Sequence, residues 1–408
     1  MNADVFCVKL IRKEENEMNK IRVAFVGIGG YGGVILNEIF QKPMEGFEIV
    51  AAVDPFPEKS ACFQELRSIG IPIYSDIEKM FAENEKLGKK PDFVVIATPI
   101  QYHTRQILTS VRHGAHVLCE KPMTGDIGDL SALEKCAKES DRLIAIGYQW
   151  SYSNAIQKLK ADVMQGVFGK ALHLKCMVCW PRTRAYFTRS TGWAGKIYSS
   201  DGTMIRDSIV NNATAHYIHN ILYILGEQID TSAAATEIKA TLLRANNIET
   251  FDTATVRFGL VCGGTGMFVV SHSTRSTVDP TFEYAFEKCK VIYPNDSGCI
   301  EAHFADGRKI IYGDPFAEGA SHKFYICLQA IKEKKSAICG VFAAKQQVRF
   351  VAALHEHNKI IDVKRDATEI IDDVLTVKGL DRMLEKCYAE DKLLEELSEF
   401  KSIAELKR

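Results

Sequence analysis

The sequence predicts an α/β protein: a doubly wound parallel sheet in the first part of the chain, followed by a second domain. Three observations carry this expectation. Short apolar runs alternate with helix-spaced segments over residues 19–148, which is the pattern of strand–helix–strand units. A glycine-rich turn joins the first run to the first helix. From residue 149 the regular alternation stops while strand-like runs continue. At 408 residues the chain is long enough for two cores.

Residues 21–26, Ile-Arg-Val-Ala-Phe-Val, have the length and apolar character of a buried parallel strand. Gly27, Gly29 and Gly32 follow in G-x-G-x-x-G spacing, with Ile28, Gly30 and Tyr31 between them, and residues 34–40 are helix-spaced. In such a turn the first glycine permits the bend and the second lets backbone approach a pyrophosphate. The third lets the helix pack on the strand, and the helix N-terminus offers N–H groups to the phosphates. A second strand, 47–53, ends at Asp54. An acid there accepts the adenosine ribose hydroxyls and repels a 2′-phosphate, so NAD is expected ahead of NADP.

Residues 71–74 read as a short strand, 75–81 as a capped helix and 92–97 as a buried strand ending in Thr98-Pro99. Residues 101–113 read as a helix that stops at Gly114. The strand at His116-Val-Leu-Cys119 runs into Glu120-Lys121-Pro122, where the proline halts it. A lysine beyond the carboxyl end of such a strand stands where an open parallel sheet binds its ligands. Residues 143–148 close the unit.

Composition excludes several functions. With 46% apolar and 25% charged residues and a net charge of −1, the chain lacks the basic excess that nucleic acids or membrane surfaces require. No apolar run approaches the ~18 residues of a membrane span. Residues 1–18 are expected to be a disordered or mis-assigned lead-in, with Met18 as an alternative start. Twelve scattered cysteines point to reduced thiols in the cytoplasm. Cys176 and Cys179 lie in a strand-like run without a second pair, and His355-Glu356-His357 reads as a helix terminus. No metal site is expected.

The order of glycine turn, Asp54, Thr98-Pro99 followed by His103, Glu120-Lys121-Pro122 and Gly147-Tyr148-Gln149 resembles the Gfo/Idh/MocA family, the relatives of glucose–fructose oxidoreductase and inositol dehydrogenase. The resemblance covers nearly the whole chain from about residue 20, and Glu-Lys-Pro is its most specific motif. It implies an NAD-binding Rossmann domain whose cofactor site draws on Gly27, Ile28, Gly29, Gly30, Tyr31, Gly32, Asp54, Thr98, Pro99, His103, Glu120, Lys121 and Gln149. It also implies an α+β domain over 149–366 with an open, mostly antiparallel sheet and helices on one face. Helices expected at 324–332 and 344–355 precede a return to the first domain, and 367–408 should be a helical tail. Family members usually pair through the exposed sheet face, so a homo-oligomer, dimer or tetramer, is expected.

The resemblance further implies hydride transfer between nicotinamide and a secondary alcohol of a sugar, glycoside or cyclitol, a small-molecule substrate. The hydroxyl proton then needs a base. Lys121 would hydrogen-bond and polarise the substrate oxygen, with Glu120 orienting the cofactor or Lys121. Family members carry an aspartate four residues before a histidine on one helix. His216 matches the histidine, but Asn212 stands where the aspartate should be. An amide cannot accept a proton, so the proton is expected on His216 or Lys121, with His219 as an auxiliary. The run from Trp180 through Arg182, Arg184 and Tyr186 interleaves rings with guanidinium groups suited to a sugar, and Trp150 stands where many relatives carry arginine. Asn212 also keeps open an alternative: a catalytically impaired NAD-binding sensor.

Overall fold

A computed structural model describes residues 20–405 except 43, 189–191 and 294–297. The expected lead-in at 1–18 lies outside the described residues. The chain divides into two compact units, the first comprising residues 20–120, Lys135–Gly147 and Gly319–Ala337, the second Lys121–Glu134, Tyr148–Glu318 and the chain from Ile338. Lys121 is therefore the first residue of the second unit, and residues 121–134, expected in the nucleotide-binding domain, belong to that unit.

In the first unit β1 (Ile21–Val26), β2 (Phe47–Val53), β3 (Ile73–Tyr74), β4 (Phe93–Ile96), β5 (His116–Cys119) and β6 (Ile144–Ile146) form one sheet in the order 3-2-1-4-5-6. Every pairing is parallel, the order of a dinucleotide-binding sheet with its crevice at the carboxyl ends of the strands. The strands read as unbroken apolar runs because both faces are covered; all four residues of β4 are buried. Helix Gly30–Gln41 follows β1, and Asp76 caps helix Ile77–Lys86 by accepting the Lys79 N–H at 2.8 Å.

The return segment is helix His322–Lys332 itself. Phe324 seats on the sheet, its ring 5.1 Å from Phe47, 5.7 Å from Phe93 and 6.0 Å from Phe25. The Glu38 carboxylate accepts the Ala320 and Ser321 N–H groups just ahead of the helix, at 3.0 and 2.8 Å.

The second unit contains β7 (Ala171–Cys179), β8 (Ala235–Arg244), β9 (Thr253–Leu260), β10 (Thr265–Ser271), β11 (Val278–Phe286), β12 (Cys289–Tyr293), β13 (Ile300–Phe304), β14 (Lys309–Gly313) and β15 (Ile360–Asp362). They form one sheet in the order 14-13-12-11-7-10-9-8-15. It is antiparallel except where β10 meets β7 and β15 meets β8. Helix Val341–His357 packs on one face, with Phe350 edge-on to Phe258 at 5.1 Å, and it ends at the His-Glu-His run as expected. Cys176 and Cys179 are free thiols three residues apart on β7, facing opposite sides of the sheet. Among the described residues no group of His, Cys, Asp and Glu could hold a metal ion.

Two expectations fail in the tail. Residues 367–408 do not begin as helix: β16 (Thr368–Ile371) and β17 (Val374–Val377) form a hairpin before helix Leu380–Glu390. The β-branched run is bent by Asp372 and Asp373, both left-handed at φ 48° and 63°, the geometry of a tight two-residue hairpin turn. Nor does the sheet carry helices on one face only. Met177, Cys179, Met267 and Val269 are buried on the opposite face beneath Leu380, Leu384, Leu394 and Phe400 of the tail. Over β7 and β10 the chain itself occupies the face through which pairing was expected.

Candidate active site

In the first unit the glycine turn has the cradle that a dinucleotide needs. A side chain at Gly27 would lie 2.7 Å from the Ala97 carbonyl oxygen, and one at Gly32 would collide with the Gly27 carbonyl. Those two glycines are required for packing. Gly29 and Gly30 are different, because a side chain there would meet nothing within 4 Å; that side of the turn is open. Gly29 caps the helix without a side-chain hydrogen bond, and no acid stands in the first turn, so the first N–H groups face outward for an anion. Asp54 accepts the Ile28 N–H at 3.1 Å and the Phe56 N–H at 2.9 Å. A carboxylate has about four acceptor positions, which leaves capacity for ribose hydroxyls. These residues fit NAD.

Thr98 and Pro99 follow β4, and the Thr98 hydroxyl donates to Gln106 at 2.6 Å. His103, expected to touch the cofactor, is instead 1% exposed, with its Nε2 2.8 Å from the Thr98 carbonyl oxygen. It begins helix His103–Arg112 and shapes the Thr98-Pro99 turn from behind. Glu120 is also buried. Its carboxylate pairs with the Lys323 ammonium at 2.7 Å, and the missing side chain of Gly147 makes room for it. Gln149, half-buried, opens the short helix Gln149–Tyr152 in the second unit.

In the second unit Lys121 Nζ donates to the Asn212 carbonyl oxygen at 2.7 Å and to its Oδ1 at 3.2 Å. The Asn212 amide in turn donates from Nδ2 to Asp207 Oδ1 at 2.9 Å, and Asp207 Oδ2 accepts the Gly195 N–H at 2.7 Å. A carboxylate only accepts and an ammonium only donates, so this chain fixes which end of the amide faces Lys121. Asn212 lies in the turns preceding helix Ala215–Ile224, not on the helix with His216 as expected. His216 occupies the first helical turn, half-buried and edge-on to Tyr148 at 5.9 Å. Beside Asn212 a pocket is lined by Tyr186, Phe187, Asp207, Ser208, Phe251 and His272, among others.

Several residues expected at the substrate are structural. Trp150 is 2% exposed, within an aromatic cluster whose nearest rings are Tyr217 at 4.9 Å and Phe316 at 5.3 Å; its size made it a core residue. Arg184 is committed to Asp373 of the tail hairpin at 2.8 Å. Arg182 stands over the Tyr186 ring at 5.1 Å and is not among the pocket's lining. His219 is buried, stacked on Tyr148 at 3.8 Å with Ser151 Oγ 3.0 Å from Nε2. Burial, with a smaller effect of Lys160, pulls it down to about 3, which removes it as a proton acceptor at neutral pH.

Sequence reasoning missed two residues. Asp207 stands only five positions before Asn212, so a search for carboxylates on both sides of the asparagine had a chance of finding it. Lys323 lies on a helix face otherwise made of Phe324, Cys327 and Leu328; a lone cation on an apolar stripe was the available signal.

Residues 21–148 match the family described as "Oxidoreductase family, NAD-binding Rossmann fold". The model matched is that of the nucleotide-binding domain of the Gfo/Idh/MocA family, and it covers under a third of the chain. Within the curated proteins the chain is similar to inositol 2-dehydrogenase of Rhodococcus jostii, 29% identical over 163 residues, which are 39% of this chain and 42% of that one. The chain thus spans under half the length of that relative. Among solved structures it is similar to the WlbA dehydrogenase of Bordetella pertussis in complex with NADH and UDP-GlcNAcA. The TM-score there is 0.69 at 20% identity, covering 83% of this chain and 95% of the other. A levoglucosan dehydrogenase in complex with NADH and levoglucosan gives 0.66 at 15% identity, covering 83% and 96%. At these identities the structural likenesses show the fold. No described helix is long and apolar enough to cross a membrane.

Proposed function

We propose that this protein is an NAD-dependent oxidoreductase acting on a secondary alcohol of a sugar, glycoside or cyclitol, with Lys121 and His216 handling the proton. One observation carries the reading: Lys121, the lysine of the family's Glu-Lys-Pro motif, is held by Asn212, and Asn212 by Asp207. Bound NAD supplies the hydride chemistry. The protein's task is the second product of oxidation, the hydroxyl proton, which must leave as the carbon gives up its hydride. Lys121 points the substrate oxygen and, as the neutral amine, takes its proton to become the ammonium; in the reducing direction the ammonium returns it. His216 is the second acceptor. Asn212 transfers no proton and orients Lys121.

The substrate class rests on the family match over residues 21–148 and on the relatives. The named relatives act on, or are bound to, molecules of this kind. NAD is preferred over NADP because Asp54 stands at the end of β2, where a 2′-phosphate would meet a negative charge. The nearby Lys59 ammonium is engaged over the Phe56 ring at 4.6 Å. Cys62, Cys119, Cys176, Cys179, Cys339 and Cys387 carry free thiols, which supports a cytoplasmic, reducing setting.

The sensor alternative rested on the absent aspartate at 212, and Asp207 behind the amide weighs against it. Incubation with NAD and a panel of cyclitols, aldoses and anhydro-sugars, followed by absorbance at 340 nm, tests the reading. Reduction of NAD by at least one member is expected. Tight NAD binding with no reduction by any of them would overturn it in favour of a sensor.

A further inference from the structure

We infer that Lys323 is a cofactor-positioning residue, which fixes Glu120 and Tyr31 on the two sides of the crevice that receives NAD. The inference rests on the NAD reading above and concerns the first unit alone. Lys323 comes from the return helix, about 300 positions beyond the glycine turn in sequence, yet its side chain is 1% exposed and its ammonium lies 2.7 Å from the Glu120 carboxylate. The same ammonium sits over the Tyr31 ring at 4.5 Å. Tyr31 belongs to the first turn of the helix after β1, and Glu120 follows the last residue of β5. One buried cation therefore joins the glycine turn to the end of another strand, at the carboxyl edge where such sheets bind dinucleotides.

The placement is rigid. Phe324, the next residue, is buried against three phenylalanines of the sheet, and Glu38 holds the backbone just ahead of the helix. Burial alone would pull the Lys323 ammonium down, but Glu120 and then Tyr31 outweigh it, and the group stands above its ordinary value. Lys323 is thus a fixed charge, and the Glu120 carboxyl group beside it is held in place. A ribose hydroxyl or the nicotinamide carboxamide supplies the donors that such an acceptor binds. A buried ion pair adds little net stability, so positioning is the more economical account of keeping it.

Removing the cation leaves Glu120 buried without its partner, and its proton affinity rises. NAD binding to Lys323→Met should weaken by about tenfold at neutral pH and become pH-dependent, recovering as pH rises and Glu120 ionises. The unaltered protein should show no such dependence. In the Lys323→Met/Glu120→Gln double variant the weakening should persist and the pH dependence vanish. Calorimetric titration of NAD into the full chain between about pH 5.5 and 8.5 reads all three. Failure of the unaltered protein to bind NAD overturns the cofactor reading itself. Lys323→Met binding NAD as the unaltered protein does, or weakened equally at every pH, overturns the positioning role. Should Lys323→Met not fold, the charge-neutral double variant decides: NAD affinity equal to that of the unaltered protein overturns the inference.

Discussion

Each unit buries a lysine, and the two meet opposite fates. Lys323 in the nucleotide unit is paired with Glu120 and held above its ordinary value. Lys160 in the second unit is 0% exposed, bonded to the Thr231 carbonyl at 2.7 Å and lying over the Tyr223 ring at 3.5 Å. Burial pulls Lys160 down to about 7. A carboxylate partner sustains a buried charge, whereas a carbonyl and a ring compensate only part of the lost hydration. The first unit uses buried charge to organise a ligand crevice. In the second unit burial acts on two core histidines in the same direction as on Lys160: His219 and His272 are both pulled down to about 3, by burial first in each case.

That contrast can be broken experimentally. The largest expected effect on stability is Trp150→Ala, which should cost about 3–5 kcal/mol, read by denaturant unfolding. A normal stability with an altered substrate KM would restore Trp150 to the substrate site. Acid comes next. His219 and His272 stay neutral when folded down to about pH 3 but protonate near 6.5 when unfolded. Unfolding therefore takes up a proton at each of these and at His355, which burial pulls down to about 4, so stability rises with pH across the window and falls on acidification. The slope should approach about 1.4 kcal/mol per pH unit for each group. Unfolding curves across about pH 4.5–6.5 check this, and a flat profile would contradict it. The smallest effect is Asn212→Asp. It sets two carboxylates at hydrogen-bonding distance, so one should take up a proton and mimic the amide. A loss of about tenfold or less in kcat is expected; a gain would show that the native site lacks an acid.

The nucleotide unit was legible almost strand by strand because parallel strands buried on both faces read as plain apolar runs. Its motif glycines matched positions where backbone packs against backbone. The second unit was harder to read. The tail's glutamates, lysines and leucines suggested helix, and the hairpin was hidden in Asp372 and Asp373, residues that adopt left-handed backbone more readily than most. Trp150, Arg184 and His219 have the chemistry of a ligand site, but their environments are set by partners as distant as Phe316, Asp373 and Cys339. No local pattern encodes such pairings. Lys121 and Asn212 were legible as types, whereas the hydrogen bond that joins them across 91 positions was not.

The most direct test of the account is Lys121→Ala, measured for NAD binding by calorimetry and for turnover at 340 nm on whichever alcohol the unaltered protein oxidises. NAD binding should survive while kcat falls by at least about a hundredfold. Turnover close to that of the unaltered protein would contradict the role of Lys121, and with it the orienting role proposed for Asn212 and Asp207.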